Sequence, residues 1–375
     1  MVTGSKELMR EMNLKSVIRT IMDDGPISRA DISKKLGLTK ATISSLVLDL
    51  LQQNLVREIG TAEVTSGRKP VLLEFCFNCG YGITVDISGT KITILSATLG
   101  GAHCQVKQYP TANVRDQLVP ELINAIEKQI ALIPECPYGL IGITLGIHGI
   151  VDHGSITFTP YCDYGNLDIA TPLKERFQVP VYVENEANLS VLGEYTFHYP
   201  GKNVVGLSVH SGIGLGIIVK QKLFGGTHGF AGEFGHSIIQ VDGRPCPCGN
   251  RGCLEQYASE KVLLTELAQL KQVPHLSADE FAVLYQRKDP DAIEIMNRFI
   301  KYIAIGINNI LNTLDPDLII INSSFTMNFP QIIPEIKAAI TGRNHDICNL
   351  LPSELQDMSI LLGGICYTRN KFLES

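Results

Sequence analysis

The chain has 375 residues, 45% of them hydrophobic and 19% charged, with a formal net charge of −6. Roughly two or three domains with buried cores are expected at this length, and the apolar content excludes a mostly disordered or fibrous chain. No apolar run approaches the ~20 residues of a membrane span, and the charged N-terminus lacks a signal-peptide core. A cytoplasmic protein is therefore predicted, in which the ten cysteines are thiols or metal ligands rather than disulfides.

The net charge is divided unevenly along the chain. Residues 1–70 contain eleven Lys and Arg against eight Asp and Glu, a net charge of +3, which leaves −9 for the remainder. Such asymmetry indicates a basic module attached to an acidic body.

The N-terminal segment has the apolar spacing of three helices. The apolar stripes are Leu14, Val17, Ile18, Ile21 and Met22, then Ile32 and Leu36, then Ile43, Leu46, Val47, Leu50 and Leu51. Gly25-Pro26 ends the first helix, Ser28 and Thr39 are N-caps for the next two, and Gly37 separates those two. This order is that of a helix-turn-helix.

The third helix and a following hairpin carry the residues expected to contact DNA. Strands at 55–59 and 71–75 form the hairpin of a winged helix, which completes a first domain over residues 1–75. Small and hydroxyl side chains suit a helix in the major groove, and a basic tip suits the minor groove. The predicted DNA-binding residues are Lys40, Ala41, Thr42 and Ser45 on the helix and Arg68 and Lys69 on the tip. The alternative is a three-helix dimerisation module with an ordinary basic loop.

The remainder of the chain contains two similar series of elements. The first has strands at 82–87, 91–97 and 103–109, a helix near 116–133 and a buried strand at 140–147. The second has strands at 204–209, 214–220 and 237–241, helices from 254 onward and a buried strand at 318–322. The repetition predicts an α/β body with a cleft between two lobes.

A metal site is predicted between residues 232 and 255. The spacing H-x9-C-x-C-x4-C supplies four ligands: His236, Cys246, Cys248 and Cys253. Three thiolates and one imidazole form a closed tetrahedral set for zinc, so a structural rather than a catalytic ion is expected. The alternative is three unrelated buried thiols beside a core histidine.

Polar side chains cluster at two places near this segment. The run Glu184-Asn185-Glu186-Ala187-Asn188 follows a strand and begins a helix, while Glu233 and Glu255 flank the predicted zinc ligands. Carboxylates and amides suit the hydroxyls of a sugar. The alternative is that they cap helices and form ordinary pairs, which is favoured for Glu184 and Asn188.

These motifs resemble those of the ROK family of repressors, open-reading-frame products and sugar kinases. The resemblance rests on LGIHGIVD at 145–152, ENEAN at 184–188, GEFGH at 232–236 and CPCGNRGCLE at 246–255. It implies an α/β fold in which the winged helix precedes a two-lobed, actin-like ATPase body of the sugar-kinase type. A small lobe would span 80–188 plus about 360–375, and a large lobe with the zinc knuckle and a dimer surface would span 189–359.

The winged helix places the chain close to the repressor branch of the family. The resemblance implies a homodimer, possibly a tetramer, that binds operator DNA and is released by a sugar inducer, with xylose the expected sugar. The family's zinc ligands correspond to the four residues named above. Its sugar contacts correspond to Asn185, Glu186, Glu233, His236 and Glu255.

Departures from the family's kinase motifs imply a sensor without enzymatic activity. Glu186 stands where kinases carry a catalytic Asp, and ~1 Å displacements are costly for phosphoryl transfer. The nucleotide loops depart from the family pattern as well: Ser88 stands for one Gly, His210-Ser211-Gly212 for Gly-Thr-Gly, Leu215 for another Gly and Ser323-Ser324 for a glycine pair. His148 and Tyr161, where the family has Pro and Asn, bear on the identity of the sugar. An active sugar kinase and a sensor that docks a protein partner remain the alternatives.

Overall fold

The computed structural model describes residues 3–61, 70–89, 91–160, 162–342, 347 and 349–374. Its N-terminal part is a winged helix with a three-stranded sheet in the order β1-β3-β2. The elements are α1 (Thr3–Asp24), β1 (Ile27–Ser28), α2 (Arg29–Leu36), α3 (Lys40–Gln52), β2 (Val56–Thr61) and β3 (Val71–Phe75). The predicted order of helices and wing strands is confirmed, and the short strand β1 is an addition to it.

The predicted helix caps of this domain are confirmed. The Ser28 hydroxyl accepts from the Asp31 N–H at 3.2 Å, and Thr39 accepts from the Thr42 N–H at 3.2 Å. Gly37 ends α2 with a left-handed φ of 67°. The apolar stripes meet in one core, whose fully buried members include Val17, Ile21, Ile32, Ile43, Leu46, Val47 and Leu50.

The body contains two five-stranded sheets of the same topology. In each sheet, three sequential strands pair antiparallel. A fourth strand pairs parallel with the first of them, and a fifth pairs parallel with the fourth. The first sheet has the order β10-β7-β4-β5-β6, with β4 (Tyr81–Ile87), β5 (Lys91–Thr98), β6 (Gln105–Pro110), β7 (Leu140–Ile147) and β10 (Val181–Asn185). The second has the order β13-β12-β11-β14-β15, with β11 (Val204–Val209), β12 (Ile213–Val219), β13 (Lys222–Leu223), β14 (Leu318–Ser323) and β15 (Leu350–Pro352). A separate hairpin consists of β8 (Ile150–Asp152) and β9 (Ser155–Phe158). The predicted duplication is confirmed.

The predicted strand at 237–241 is wrong. This segment makes one isolated bridge, between Ile238 and Cys253, and the third strand of the second sheet is β13 instead. Ile238 and Val241 are 56% and 83% exposed, so the apolar pattern of the segment faces outward rather than into a sheet. The backbone is used to hold the cysteine-rich loop, since the Ile239 N–H donates to the Gly252 carbonyl at 2.9 Å.

Helices cover the two sheets. They are α4 (Arg115–Ile130), α5 (Ala170–Phe177), α6 (Glu186–Phe197), α7 (Glu255–Ala258), α8 (Glu260–Leu270), α9 (Ala278–Gln286), α10 (Pro290–Leu314), α11 (Ser324–Asn328), α12 (Ile332–Ala339) and α13 (Ser359–Glu374). Within the described ranges, no helix has the length and apolar character needed to cross a membrane. The lobe boundary predicted after residue 188 falls inside α6, which packs against both α13 and the second sheet.

The pair α6 and α13 packs through its backbone. A Cβ on Gly363 would lie 1.8 Å from the Leu189 carbonyl oxygen, and one on Gly193 would lie 2.4 Å from the Ser359 carbonyl oxygen. Only glycine permits this approach. The contact therefore holds the two helices in a fixed register.

The C-terminal end of α13 reaches the winged helix. Phe372 and Leu373 pack against the core that contains the apolar residues of α1 and α3. Lys15 of α1 donates to the carbonyl oxygen of Glu374 at 2.6 Å. The Tyr138 hydroxyl of the body donates to the carbonyl of Gln53, just after α3, at 2.8 Å. The winged helix and the body thus share a continuous core.

Candidate functional site

A cavity of about 360 Å³ lies in the cleft between the two sheets. Its walls are the segment after β7, the start of α6, the end of β11, the loop that precedes the cysteines, and the start of α13. All five residues predicted to bind sugar line it: Asn185, Glu186, Glu233, His236 and Glu255. Residues from both halves of the body therefore meet at one site.

Asn185 and Glu186 occupy the turn from β10 into α6. Asn185 is the N-cap of α6, and its Oδ1 accepts from the Ala187 N–H at 2.8 Å. Its Nδ2 donates to the Gly149 carbonyl at 2.9 Å and to Glu186 Oε2 at 2.8 Å. Burial raises the pKa of Glu186, and the nearby His148 opposes that shift. The capping geometry thus presents the Glu186 carboxylate to the cavity.

Glu184 and Asn188, for which an ordinary pairing role was favoured, contact their neighbours. Glu184 Oε1 accepts from the Asn185 N–H and from Asn188 Nδ2, both at 2.9 Å. Neither residue lines the cavity.

His236 lies between two carboxylates in the opposite wall. Its Nε2 is 3.7 Å from Glu233 Oε2, and its Nδ1 is 3.6 Å from Glu255 Oε1. Burial, together with the charges of Glu186 and Glu255, raises the pKa of Glu233 to about 7. One ring nitrogen of His236 thus faces Glu233 and the other faces the cysteine cluster.

The four predicted metal ligands come together in space. One candidate ligand atom from each of His236, Cys246, Cys248 and Cys253 lies within 4.8 Å of the other three. The Sγ atoms of Cys248 and Cys253 are 3.7 Å apart, and Cys246 Sγ is 3.6 Å from His236 Nδ1. Thiolates bound tetrahedrally at ~2.3 Å from zinc are separated by about 3.8 Å. The cluster could therefore hold a metal ion of this type.

Local backbone and charge support that arrangement. Gly252 has a φ of 83°, and a Cβ there would lie 1.7 Å from the Gln240 carbonyl oxygen. Burial raises the pKa of both Cys246 and Cys253, so thiolates at these positions require a cation.

His148 lines the same cavity and forms a hydrogen-bonded pair with Asp86 that sequence reasoning did not connect. His148 Nε2 is 2.8 Å from Asp86 Oδ1. Burial lowers the pKa of His148, but the charge and hydrogen bond of Asp86, together with the charge of Glu186, raise it to about 9. Asp86 is the penultimate residue of β4, and His148 directly follows the neighbouring parallel strand β7. Their position at the carboxyl ends of two strands is a signal that could have linked them.

A second missed residue, Glu260, lies between Ser259 and Lys261, both of which line the cavity. Its Oε1 accepts from the Ser323 hydroxyl at 2.7 Å and from the Ser324 N–H at 2.5 Å, and its Oε2 is 3.9 Å from His210 Nδ1. Burial raises the pKa of Glu260, but the hydrogen bonds from His210, Ser323 and Ser324 lower it overall. The hydrogen-bond donors of the Ser323-Ser324 loop are thus already bound to a carboxylate of the protein itself.

Leu215, which stands where the family's nucleotide motif has a Gly, is 3% exposed and packs in the core of the second sheet. Tyr161 lies outside the described residues.

The predicted DNA contacts are placed only in part. Lys40, Ala41 and Ser45 are exposed on α3, and the half-buried Thr42 forms a hydroxyl pair with Thr39 at 2.9 Å. Arg68 and Lys69 lie outside the part of the chain that the structure describes, so their contacts stay a prediction.

A winged helix joined to a two-lobed body, with carboxylates lining the cleft, defines a ligand-sensing DNA-binding protein. Residues 82–369 match the ROK family, and residues 13–57 match winged helix-turn-helix DNA-binding domains. The chain therefore belongs to the ROK family.

One curated relative and one solved structure cover nearly the whole chain, and a solved kinase covers the body. A xylose repressor of Bacillus spizizenii is 35% identical and covers 99% of this chain and 98% of its own. The crystal structure of a ROK family transcriptional regulator, a homolog of the E. coli MLC protein, has a TM-score of 0.84 at 24% identity, covering 98% of this chain and 97% of that chain. A ROK family glucokinase from Streptomyces griseus, in complex with glucose and AMPPNP, has a TM-score of 0.69 at 24% identity, covering 78% and 100%. The body thus has the actin-like sugar-kinase fold.

Proposed function

We propose that this protein is a sugar-responsive transcriptional repressor of a carbohydrate-utilisation operon. The observation that carries the proposal is the winged helix fused to a ROK-family body whose cleft is lined by several glutamates, in a chain related over its whole length to a xylose repressor. Xylose is the proposed inducer, on the strength of that relative's name.

Operator DNA is bound by a homodimer, with a tetramer as the alternative. The α3 helix enters the major groove with Lys40, Ala41, Thr42 and Ser45, and Arg68 and Lys69 of the wing tip contact the minor groove and phosphates. Two winged helices then read a palindrome whose half-sites are about one helical turn, or a multiple of it, apart. The exposure of Lys40, Ala41 and Ser45 supports this mode.

Sugar binds in the cleft between the lobes. Glu186, Glu233 and Glu255 accept hydrogen bonds from hydroxyls, while Asn185 holds Glu186 and His236 provides a nitrogen beside Glu233. The lobes are proposed to span 80–188 plus about 360–375, and 189–359. The bridging position of α6 makes it the element about which they move.

A structural zinc ion is proposed at His236, Cys246, Cys248 and Cys253. These four residues would hold the ion, which would crosslink the cysteine-rich loop beside the cavity. Nδ1 of His236 faces the cysteines and would bind the ion, so the ring proton would be on Nε2. Nε2 faces Glu233 and the sugar site.

The helix α13 provides the route from sugar to DNA. Ile360, near its start, lines the cavity, and Phe372 and Leu373, near its end, pack on the winged helix. Its 16 residues span about 24 Å as one rigid element. A change in lobe closure is therefore transmitted to the position of the winged helices, and a coupling of about 1–3 kcal/mol is sufficient for tens-fold derepression.

The cleft acts as a sensor and not as a kinase. The carboxylate of Glu260 already accepts from the Ser323-Ser324 donors, so an anionic phosphate at that loop meets a like charge. Glu186 also replaces the Asp expected for a kinase base.

The experiment that tests the function is a gel shift with DNA from upstream of the chain's own gene, repeated with individual sugars. A retarded band that one pentose or hexose releases is expected. If no upstream fragment is retarded, the proposed repressor function is refuted. If a fragment is retarded but no sugar releases it, the alternative of a sensor that docks a protein partner is favoured. Sustained ATP-dependent phosphorylation of any sugar in a coupled assay would contradict the pure sensor.

A further inference from the structure

His148 has no role in the function described so far, yet it occupies a central position in the cleft. It immediately follows β7, while Asp86 lies near the end of the adjacent parallel strand β4. Both side chains are largely shielded, at 26% and 17% exposure. His148 itself lines the cavity, and Asp86 holds it by a hydrogen bond.

The charge of the cavity explains what this pair contributes. Four glutamates line the cavity: Glu186, Glu233, Glu255 and Glu266. Glu186 lies close enough to His148 for each to shift the pKa of the other, downward for the carboxyl and upward for the imidazole. A protonated imidazole beside them reduces their mutual repulsion and keeps Glu186 able to accept from hydroxyls.

The hydrogen bond to Asp86 fixes the ring and assigns its nitrogens. With Nε2 engaged by the Asp86 carboxylate at 2.8 Å, Nδ1 is the nitrogen left for another partner. In the protonated ring Nδ1 is a charged donor, and charge-assisted hydrogen bonds are about twice as strong as neutral ones.

We propose that His148 is a sugar-binding residue of this cleft, that its Nδ1–H donates to a hydroxyl of the inducer, and that Asp86 is the positioning residue that holds the ring. This inference rests on the proposed sugar-sensing function and adds to it. The family is expected to have a proline at this position, and proline has no side-chain donor. His148 therefore gives this chain one hydroxyl contact to its inducer that a proline could not make.

Titratable groups from three elements act on His148. These are Asp86 of β4, Glu186 of α6 and His210 after β11. Because the protonated ring is the stronger donor, sugar affinity is expected to be full below the raised pKa and to decline as the pH rises through about 9. Replacing Asp86 by Asn removes the group that raises the pKa most, so the decline should move toward neutral pH.

The test is calorimetric titration of the full-length protein with D-xylose, with D-glucose and D-ribose as comparison sugars. His148→Ala is expected to weaken xylose binding about tenfold or more, and His148→Gln to restore part of it because the amide still donates. His153→Ala is the matched control, since His153 is 85% exposed and does not line this cavity. Circular dichroism and operator binding without sugar confirm that each variant is folded.

The pH profile separates sugar contact from a purely structural role. Wild-type protein should lose affinity for xylose through about pH 9, and Asp86→Asn should lose it at lower pH. Unchanged affinity in His148→Ala, or an identical pH profile in Asp86→Asn, would overturn the assignment while leaving the repressor intact. Wild-type protein that binds none of the three sugars overturns this assignment and removes the sugar from the proposed function.

Discussion

Replacing Gly363 by Ala should break the contact that connects the cleft to the winged helix. The added Cβ would lie 1.8 Å from the carbonyl oxygen of Leu189, where ordinary contact begins near 3.4 Å. The α6 and α13 backbones must then separate by roughly 1.5 Å. Such overpacking costs typically about 1–3 kcal/mol. It exceeds the ~1 kcal/mol that alanine gains over glycine in a helix, so a net loss of stability is expected.

Urea denaturation with and without xylose measures the effect, and operator titration of the same samples measures coupling. The matched control is Gly225→Ala, which adds the same methyl group at a position with nothing within 4 Å. We expect Gly225→Ala to stay within about 0.5 kcal/mol of wild type. We expect Gly363→Ala to lose stability and most of its sugar-dependent release from DNA. A Gly363→Ala protein as stable and as inducible as wild type would refute the role of this helix pair.

Three further predictions concern the metal, the wing and the buried carboxylate. Cys248→Ser should lose bound zinc, measured by elemental analysis, together with sugar response; a zinc-free variant that still responds would contradict the structural role of the ion. Arg68→Ala should weaken operator binding and reduce the slope of log K against log salt by about 1, and unchanged affinity and slope would disprove the minor-groove contact. Glu260→Ala leaves the donors of Ser323 and Ser324 without their acceptor and should cost about 2–4 kcal/mol in urea denaturation, so a loss below ~1 kcal/mol would show that the loop finds other partners.

Local signals were sufficient for much of the fold. The caps at Ser28 and Thr39, the turn at Gly37 and the apolar stripes predicted the winged helix, because helix starts and stops depend on neighbouring residues. The segment 237–241 could not be assigned in this way. Its alternating apolar residues indicate a strand, but its backbone is used by the cysteine-rich loop, and that constraint arises from residues more than ten positions away.

The candidate site shows the same division. The spacing of His236, Cys246, Cys248 and Cys253 predicted a cluster because metal ligands must converge on one point. The bond between Asp86 and His148 spans 62 positions and depends on which strands are adjacent, which periodicity does not reveal. The burial of Leu215 could not be read from the sequence either, since the face of a strand to which a side chain points is decided by tertiary packing.

The central claim is that occupancy of the cleft by sugar controls affinity for DNA. Fluorescence anisotropy of labelled operator, titrated with the full-length protein with and without saturating xylose, tests it most directly. The account predicts that xylose weakens operator binding by about 5–150-fold, and that Glu233→Gln binds operator normally but has lost this response. Equal operator affinity with and without every sugar that binds the wild-type protein would contradict the account.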